Sequence, residues 1–261
     1  MKRFLTVVTA AAIVLGVMST VQAVEKRFSV RCEFSHMKQD DPIVAPRATA
    51  SHFHEFFGNR ATDRGSTYSR MVDQPTSCLL RRDRAAYWAP TLIKDGIRVE
   101  PSHVLAYYRS VGALGGMNIK PFPRDFRMVS YDAEWLCRDH ETSPIGSPPD
   151  CSAGEEVGLR VTFPECWNGR AVDSADHLRH VAQASGRGCP KTHPIPLPRL
   201  ALNFRWNLND ARGVVFHTGV APHADFWNTW RQPALVKLVD RCLGRGVSSL
   251  CGQQTKQDND L

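Results

Sequence analysis

The chain has 261 residues, 42% of them hydrophobic and 23% charged, an ordinary balance for a folded protein. Its 18 glycines and 17 prolines are too few for a collagenous or low-complexity chain. The formal charge of +7 is scattered rather than gathered in Lys/Arg blocks, which argues against nucleic acid as a partner.

Lys2 and Arg3 precede an apolar run from Phe4 to Met18, and Val21-Gln22-Ala23 supplies small residues at a cleavage site. This pattern predicts a signal peptide over 1–23 and a secreted or periplasmic protein with no membrane segment after cleavage. Loss of Lys2 and Arg3 lowers the charge from +7 to +5. The rest is expected to form a single globular domain, residues 24–251, with a polar, disordered tail at 252–261.

Phe28 to Phe34 reads as the first strand. Tyr87 to Val99 reads as a hairpin turning at Lys94-Asp95-Gly96, where glycine accepts the positive φ a tight turn needs. Short strands follow at Val104–Arg109, Phe126–Tyr131 and Glu134–Arg138, then at Val157–Phe163 and Leu200–Leu208, where apolar residues alternate. Asp173 to His180 is expected to form a short helix. Trp227 to Cys242 is the best helical segment, with Leu235, Leu238, Val239 and Cys242 at core spacing. His140–Asp150 and Gln183–Pro198 are rich in turn residues and are expected to be loops. The pattern predicts a mainly β fold, an antiparallel β-sandwich or distorted barrel with long disulfide-pinned loops and one or two peripheral helices.

All eight cysteines follow the predicted cleavage site, and an even count in an oxidising compartment implies four disulfides. Many connectivities are open. Pairing in chain order, Cys32–Cys78, Cys137–Cys151, Cys166–Cys189 and Cys242–Cys251, closes loops of short or moderate length. There is no C-x-x-C pair, which argues against a zinc-thiolate site.

The polar chemistry concentrates around histidines. Extended backbone at 51–55 places His52 and His54 on one face and Phe53 on the other. A helical turn at 173–180 would place Asp173, Asp176, His177 and His180 on one face. An Asp beside a His fixes its tautomer and raises its basicity, as a general base or metal ligand requires. His36 follows Ser35, and His223 and Asp225 precede the last helix. His54, His177, Asp176, His52 and His180 are therefore the candidate catalytic residues. His36, Tyr107, Arg109, Trp88, Trp167, His223 and Asp225 are the candidate substrate contacts, with the tryptophans as stacking platforms and Arg109 and Tyr107 set to meet a carboxylate. His103, His140 and His217 lie outside these groups and are given no role. If a divalent metal is bound, His52, His54 and His177 are its expected ligands, although no H-E-x-x-H motif occurs.

Ser35-His36, Asp41-Pro42-Ile43-Val44, Ala50-Ser51-His52-Phe53-His54-Glu55-Phe56-Phe57-Gly58-Asn59, Tyr87-Trp88-Ala89-Pro90, Phe163-Pro164-Glu165-Cys166-Trp167-Asn168-Gly169, Asp173-Ser174-Ala175-Asp176-His177 and His223-Ala224-Asp225-Phe226 together resemble a secreted family of fungi and actinobacteria catalogued only as a domain of unknown function. The resemblance runs over roughly residues 28–245. It implies an extracellular protein, and by association with carbohydrate-binding modules it points to a glycan or cell-wall polymer as partner. Asn168 stands where that pattern usually carries Asp, so position 168 is a poor catalytic candidate. Three functions fit the sequence: a monomeric polysaccharide hydrolase or lyase using a His/Asp cleft, a His-ligated metal-binding protein, and a non-catalytic glycan-binding or envelope protein.

Overall fold

The computed structural model describes residues 26–110, 114, 117–137, 141–152, 154–244 and 251–255. The expected signal peptide, His140 and most of the expected tail lie outside the described residues. In chain order the strands are β1 (Lys26–Asp40), β2 (Thr49–Gly58), β3 (Ala86–Pro90), β4 (Leu92–Lys94), β5 (Ile97–Arg98), β6 (Pro101–Ser110), β7 (Arg127–Ser130), β8 (Asp132–Cys137) and β9 (Glu141–Pro144). They continue as β10 (Val157–Thr162), β11 (Cys166–Trp167), β12 (Val181–Ala182), β13 (Ile195–Pro196), β14 (Arg199–Trp206), β15 (Val214–Phe216), β16 (Ala224–Trp227) and β17 (Gly252–Gln254). Among the described residues two α-helices accompany them, α1 (Tyr68–Met71) and α2 (Gln232–Leu243).

The main sheet runs β7-β16-β3-β2-β1-β6-β14-β10-β8-β9, with every pairing along this path antiparallel and β17 added beside β1 in parallel. It bends at β1. The first half of that strand, Lys26–Glu33, pairs with β6, and the second half, from Phe34 on, pairs with β2 across two register shifts. A bulged strand that changes partners turns a corner between two packed layers. At the far ends β7 runs through Tyr131 into β8, and Ser130 Oγ donates to the Thr162 carbonyl of β10, so the curled sheet nearly closes on itself. The expected mainly β architecture is thus observed.

The inner face is apolar: Phe28, Val30, Phe57, Tyr87, Tyr108, Leu159, Val161, Leu202, Phe204 and Phe226 are all fully buried in one cluster. Helix α2 lays Leu235, Leu238, Val239 and Cys242 against it, as their spacing predicts. It begins at Gln232 rather than Trp227, because Trp227 ends β16 and Pro233 fits a helix only in its first turn. The four disulfides join the cysteines in chain order.

Four local expectations are corrected. The expected Tyr87–Val99 hairpin is confined to β4 and β5, because β3 pairs instead with β2 and β16 in the main sheet. Residues 173–180 form turns, with His177 at φ 57°. Asp173 Oδ1 accepts from Ser174 N, and Asp176 Oδ1 from Leu178 N and Arg179 N, so the carboxylates capture the amides a helix would have used. The 140–150 and 183–198 loops carry the short strands β9 and β13. Where a disordered tail is expected, Gly252–Gln254 pairs in parallel with Phe28–Val30, held close by the Cys242–Cys251 bond.

Candidate metal centre

The outer face of the β7-β16-β3-β2 layer is where the histidines gather. Period-two alternation turns His52, His54 and Phe56 outward from β2. The register aligns Phe56 with Trp88, Trp88 with Asp225, and Asp225 with Val129. One row along, His54 aligns with Pro90, and His223 precedes Asp225 by two residues on the same side. The connection from β1 to β2 folds back over this face. Its Asp41 Oδ1 accepts from Ile43 N at 3.0 Å and Val44 N at 2.9 Å, which fixes the carboxylate over the imidazoles. Below, Ile43, Phe56, Met71, Ala86, Trp88, Val129 and Trp227 form a second apolar cluster.

Three imidazoles meet here. The His52 and His54 ring centroids are 4.2 Å apart, and His54 Nε2 lies 3.3 Å from His223 Nε2. His54 Nδ1 lies 2.9 Å from the Asp40 carbonyl, and His223 Nδ1 2.8 Å from the Ala221 carbonyl. A carbonyl only accepts, so both Nδ1 atoms carry hydrogen, and in the neutral rings two Nε2 lone pairs face each other. His52 Nδ1 is 2.9 Å from Ser51 Oγ, while its Nε2 is buried without a partner among the described residues. Asp41 Oδ2 approaches His54 Nε2 at 3.9 Å, and Asp225 Oδ2 approaches His223 Nε2 at 3.8 Å. Both Asp225 oxygens are buried with no hydrogen bond among the described residues.

Burial sets the charge states. His54 and Asp225 are 0% exposed, His223 4% and His52 6%. Burial, reinforced by neighbouring imidazoles, holds His54 far below the usual histidine range and His52 down at about 4. Burial also lowers His223. It raises Asp41 against the pull of its two amide hydrogen bonds, and raises Asp225 far above the carboxylate range, with the nearby Asp41 adding to the effect.

These donors suit a cation. The ligand atoms of His52, His54 and His223 lie within 4.8 Å of one another, as do those of Asp41, His54 and Asp225. A tetrahedral ion with metal–nitrogen bonds of about 2.05 Å holds its donors roughly 3.3 Å apart, which is the His54–His223 spacing of 3.3 Å. Backbone carbonyls on the opposite ring nitrogens are the usual outer partners of metal-bound histidines.

The other sequence candidates lie elsewhere or are engaged. His223, not His177, completes the imidazole trio, a correction to the expected ligand set. His177 Nδ1 pairs with Asp173 at 2.8 Å, close enough to influence Asp41 electrostatically. His180 is sealed, with Nδ1 3.0 Å from Ser174 Oγ and Nε2 2.7 Å from the Arg127 carbonyl. Asp176 is exposed to solvent and held well below the usual carboxylate range by the Arg179 amide and Ser174 hydroxyl, a poor proton donor. His36 is bonded at both ring nitrogens, to Ser35 Oγ and the Thr62 carbonyl, and stacks on Phe56. Trp88 is wholly buried and offers no face to a sugar. Trp167 donates to the Ala171 carbonyl and packs on Phe126. Arg109 lies over the Tyr107 ring on β6, in the other half of the sheet, between β1 and β14. Asn168 caps a turn by accepting from Arg170 N and Ala171 N.

Sequence reasoning missed three neighbours. Asp41 sits in the quoted Asp-Pro motif, but only the folded-back loop brings it over His54. Tyr131, 56% exposed, sets its ring 5.4 Å from that of His223 at the rim. His217 Nδ1 accepts from Phe53 N at 3.3 Å, on the other side of β2.

Fold and site together define a disulfide-bonded, curled β-sheet protein with a buried His/Asp cluster under a loop on its outer face. A family model described as domain of unknown function (DUF1996) matches residues 41–230, and the chain belongs to that family. No curated protein and no solved structure matches it.

Proposed function

We propose that this is a secreted metal-binding protein in which His52, His54, His223, Asp41 and Asp225 hold one divalent transition-metal ion. The observation that carries the reading is the pair of Nε2 lone pairs facing each other at 3.3 Å beside an unpartnered buried carboxylate. A positive charge between them relieves both the lone-pair repulsion and the cost of burying Asp225. Imidazole-rich donors suit zinc, copper, nickel or iron, and two carboxylates widen the choice toward harder ions. Elemental analysis of the purified chain after mild dialysis tests the proposal. About one metal per chain, lost in His54→Ala and His223→Ala but kept in His177→Ala, is the expected result. Less than about 0.2 metal per chain, not restored by added zinc or copper, refutes it.

A second reading, action on an extracellular polysaccharide by hydrolysis or elimination, is supported at one point by the exposed Tyr131 ring beside His223. A metal at this centre would lower the pKa of a bound water and supply the nucleophile or base. Reducing ends and unsaturated uronates released from a polysaccharide panel, abolished by chelator and by His54→Ala but not by His177→Ala, are the expected signature. No release from any member of the panel by the metal-loaded chain refutes this second reading.

A further inference from the structure

We infer that a second site, beside the metal centre and independent of it, binds a small oxyanion: a carboxylate or phosphate group on a compact ligand. Trp227 and Arg127 face each other across β16 and β7 just as Asp225 and Val129 do, so they lie one strand repeat, about 7 Å, from the centre. There Arg47, Arg64, Arg127, Ser66 and Thr67 surround a cavity of about 340 Å³ over Trp227, a volume suited to a small ligand.

The three arginines differ in what they have left to offer. Arg127 is locked, with its guanidinium 4.1 Å from the Trp227 ring and its ends on Asp125 and Asp173. Arg64 is oriented by Asp40, 2.6 Å from Nε, and Thr49 Oγ1, 2.6 Å from Nη1, which leaves Nη2 without an acceptor among the described residues. The Arg47 guanidinium is exposed and makes no ion pair or hydrogen bond among the described residues. Arg47 also adopts φ 64°, a left-handed conformation that strains a non-glycine residue. Its amide donates to the Arg64 carbonyl at 2.7 Å, which ties the two residues together. A strained backbone that holds an unpaired guanidinium beside a second half-satisfied one is what an oxyanion fork requires. The cover loop links the two sites, since Asp41 faces the histidines and its neighbour Pro42 lines this cavity.

Isothermal titration of the chelator-treated full chain with inorganic phosphate, galacturonate and neutral galactose tests the inference. Saturable binding of phosphate or galacturonate, and none of galactose, is expected; a preference for one shows whether the group is carried as phosphate or as a sugar carboxylate. Arg47→Gly is the diagnostic variant, because glycine suits φ 64°. It should weaken oxyanion binding at least about tenfold while the thermal midpoint stays level or rises. If Arg47 serves structure alone, the midpoint falls and affinity is unchanged, which overturns the inference. Binding of neither anion below about 10 mM, or binding only after metal is added, also overturns it. Since the metal is stripped, these outcomes leave the reading of the histidine centre untouched.

Discussion

Asp83 offers a quantitative test of how the core is assembled. It is fully buried, and desolvation pushes its carboxyl up to about 8 against the pull of hydrogen bonds from Tyr87 and Ala85. Tyr87 Oη lies 2.8 Å from Asp83 Oδ2 and 2.7 Å from Tyr108 Oη, and Trp230 Nε1 donates to Tyr108 Oη at 2.9 Å. The folded state therefore keeps a proton that the unfolded chain releases near pH 4. A raised carboxyl contributes stability that is complete below the unfolded value and is lost as pH climbs to the folded one. One proton of difference gives a slope of about 1.4 kcal/mol per pH unit, or roughly 5 kcal/mol between pH 4 and 8. Asp41 and Asp225, also raised, add slope of the same sign, whereas the lowered histidines oppose it. Only the difference between wild type and Asp83→Asn isolates this residue. The amide keeps the shape, accepts from Ala85 N and donates to Tyr87 Oη, at a cost of about 1 kcal/mol. Urea midpoints followed by tryptophan fluorescence from pH 4.5 to 8, with disulfides intact, should show the variant gaining on wild type by about 1 kcal/mol per pH unit. Parallel curves would show that Asp83 is ionised throughout and refute the reasoning.

Gly58→Ala should cost roughly 3 kcal/mol and lower the thermal midpoint, because at φ 76° the added Cβ meets the Ala85 carbonyl oxygen at 2.1 Å. Arg98→Ala strips the bidentate partner, at 2.7 and 2.9 Å, from the buried Glu55. It should cost about 3 kcal/mol by chemical denaturation, with part recovered when Glu55→Gln is added. Asp225→Asn removes a buried carboxyl that lacks a hydrogen bond, so the metal-free variant should melt no lower than wild type while its zinc affinity falls at least about tenfold.

Much of this molecule can be read from local pattern. Alternation marks β10 and β14. Asp95 and Gly96 both take positive φ, 52° and 77°, as a two-residue hairpin between β4 and β5 demands. The pairing of His52 with His54 follows from period two alone. Segment 173–180 misleads because its composition suits a helix equally well, and only the competition between Asp side chains and backbone amides decides the matter. The joining of His223 to His54 is non-local. It depends on a register running through β3, and nothing within either segment encodes that alignment. Asp41 is harder still, since its place depends on a loop closing over a finished sheet. Trp88 shows the converse: an aromatic beside polar residues reads as a platform, yet the same loop buries it.

If the cluster binds an ion as proposed, the stability of the whole fold becomes linked to metal. Sheet faces under a loop are ordinarily apolar, and here the loop closes over three imidazoles and two carboxyls, of which His52 Nε2 and both Asp225 oxygens have no hydrogen-bond partner among the described residues. In the metal-free chain their burial opposes closure, an expense the apolar contacts of Ile43, Phe56 and Trp88 must offset. Once an ion is bound, the same groups favour closure. An ion that binds only the folded state stabilises it by RT ln(1 + [metal]/Kd), about 4 kcal/mol at a thousandfold excess over Kd, which for a chain of this size raises the midpoint by roughly 8–16 °C. The melting temperature of chelator-treated protein should therefore climb with the logarithm of added zinc. The rise should vanish in His54→Ala and persist in His36→Ala, whose ring is bonded elsewhere. Equal rises in both variants would place the stabilising ion away from this cluster.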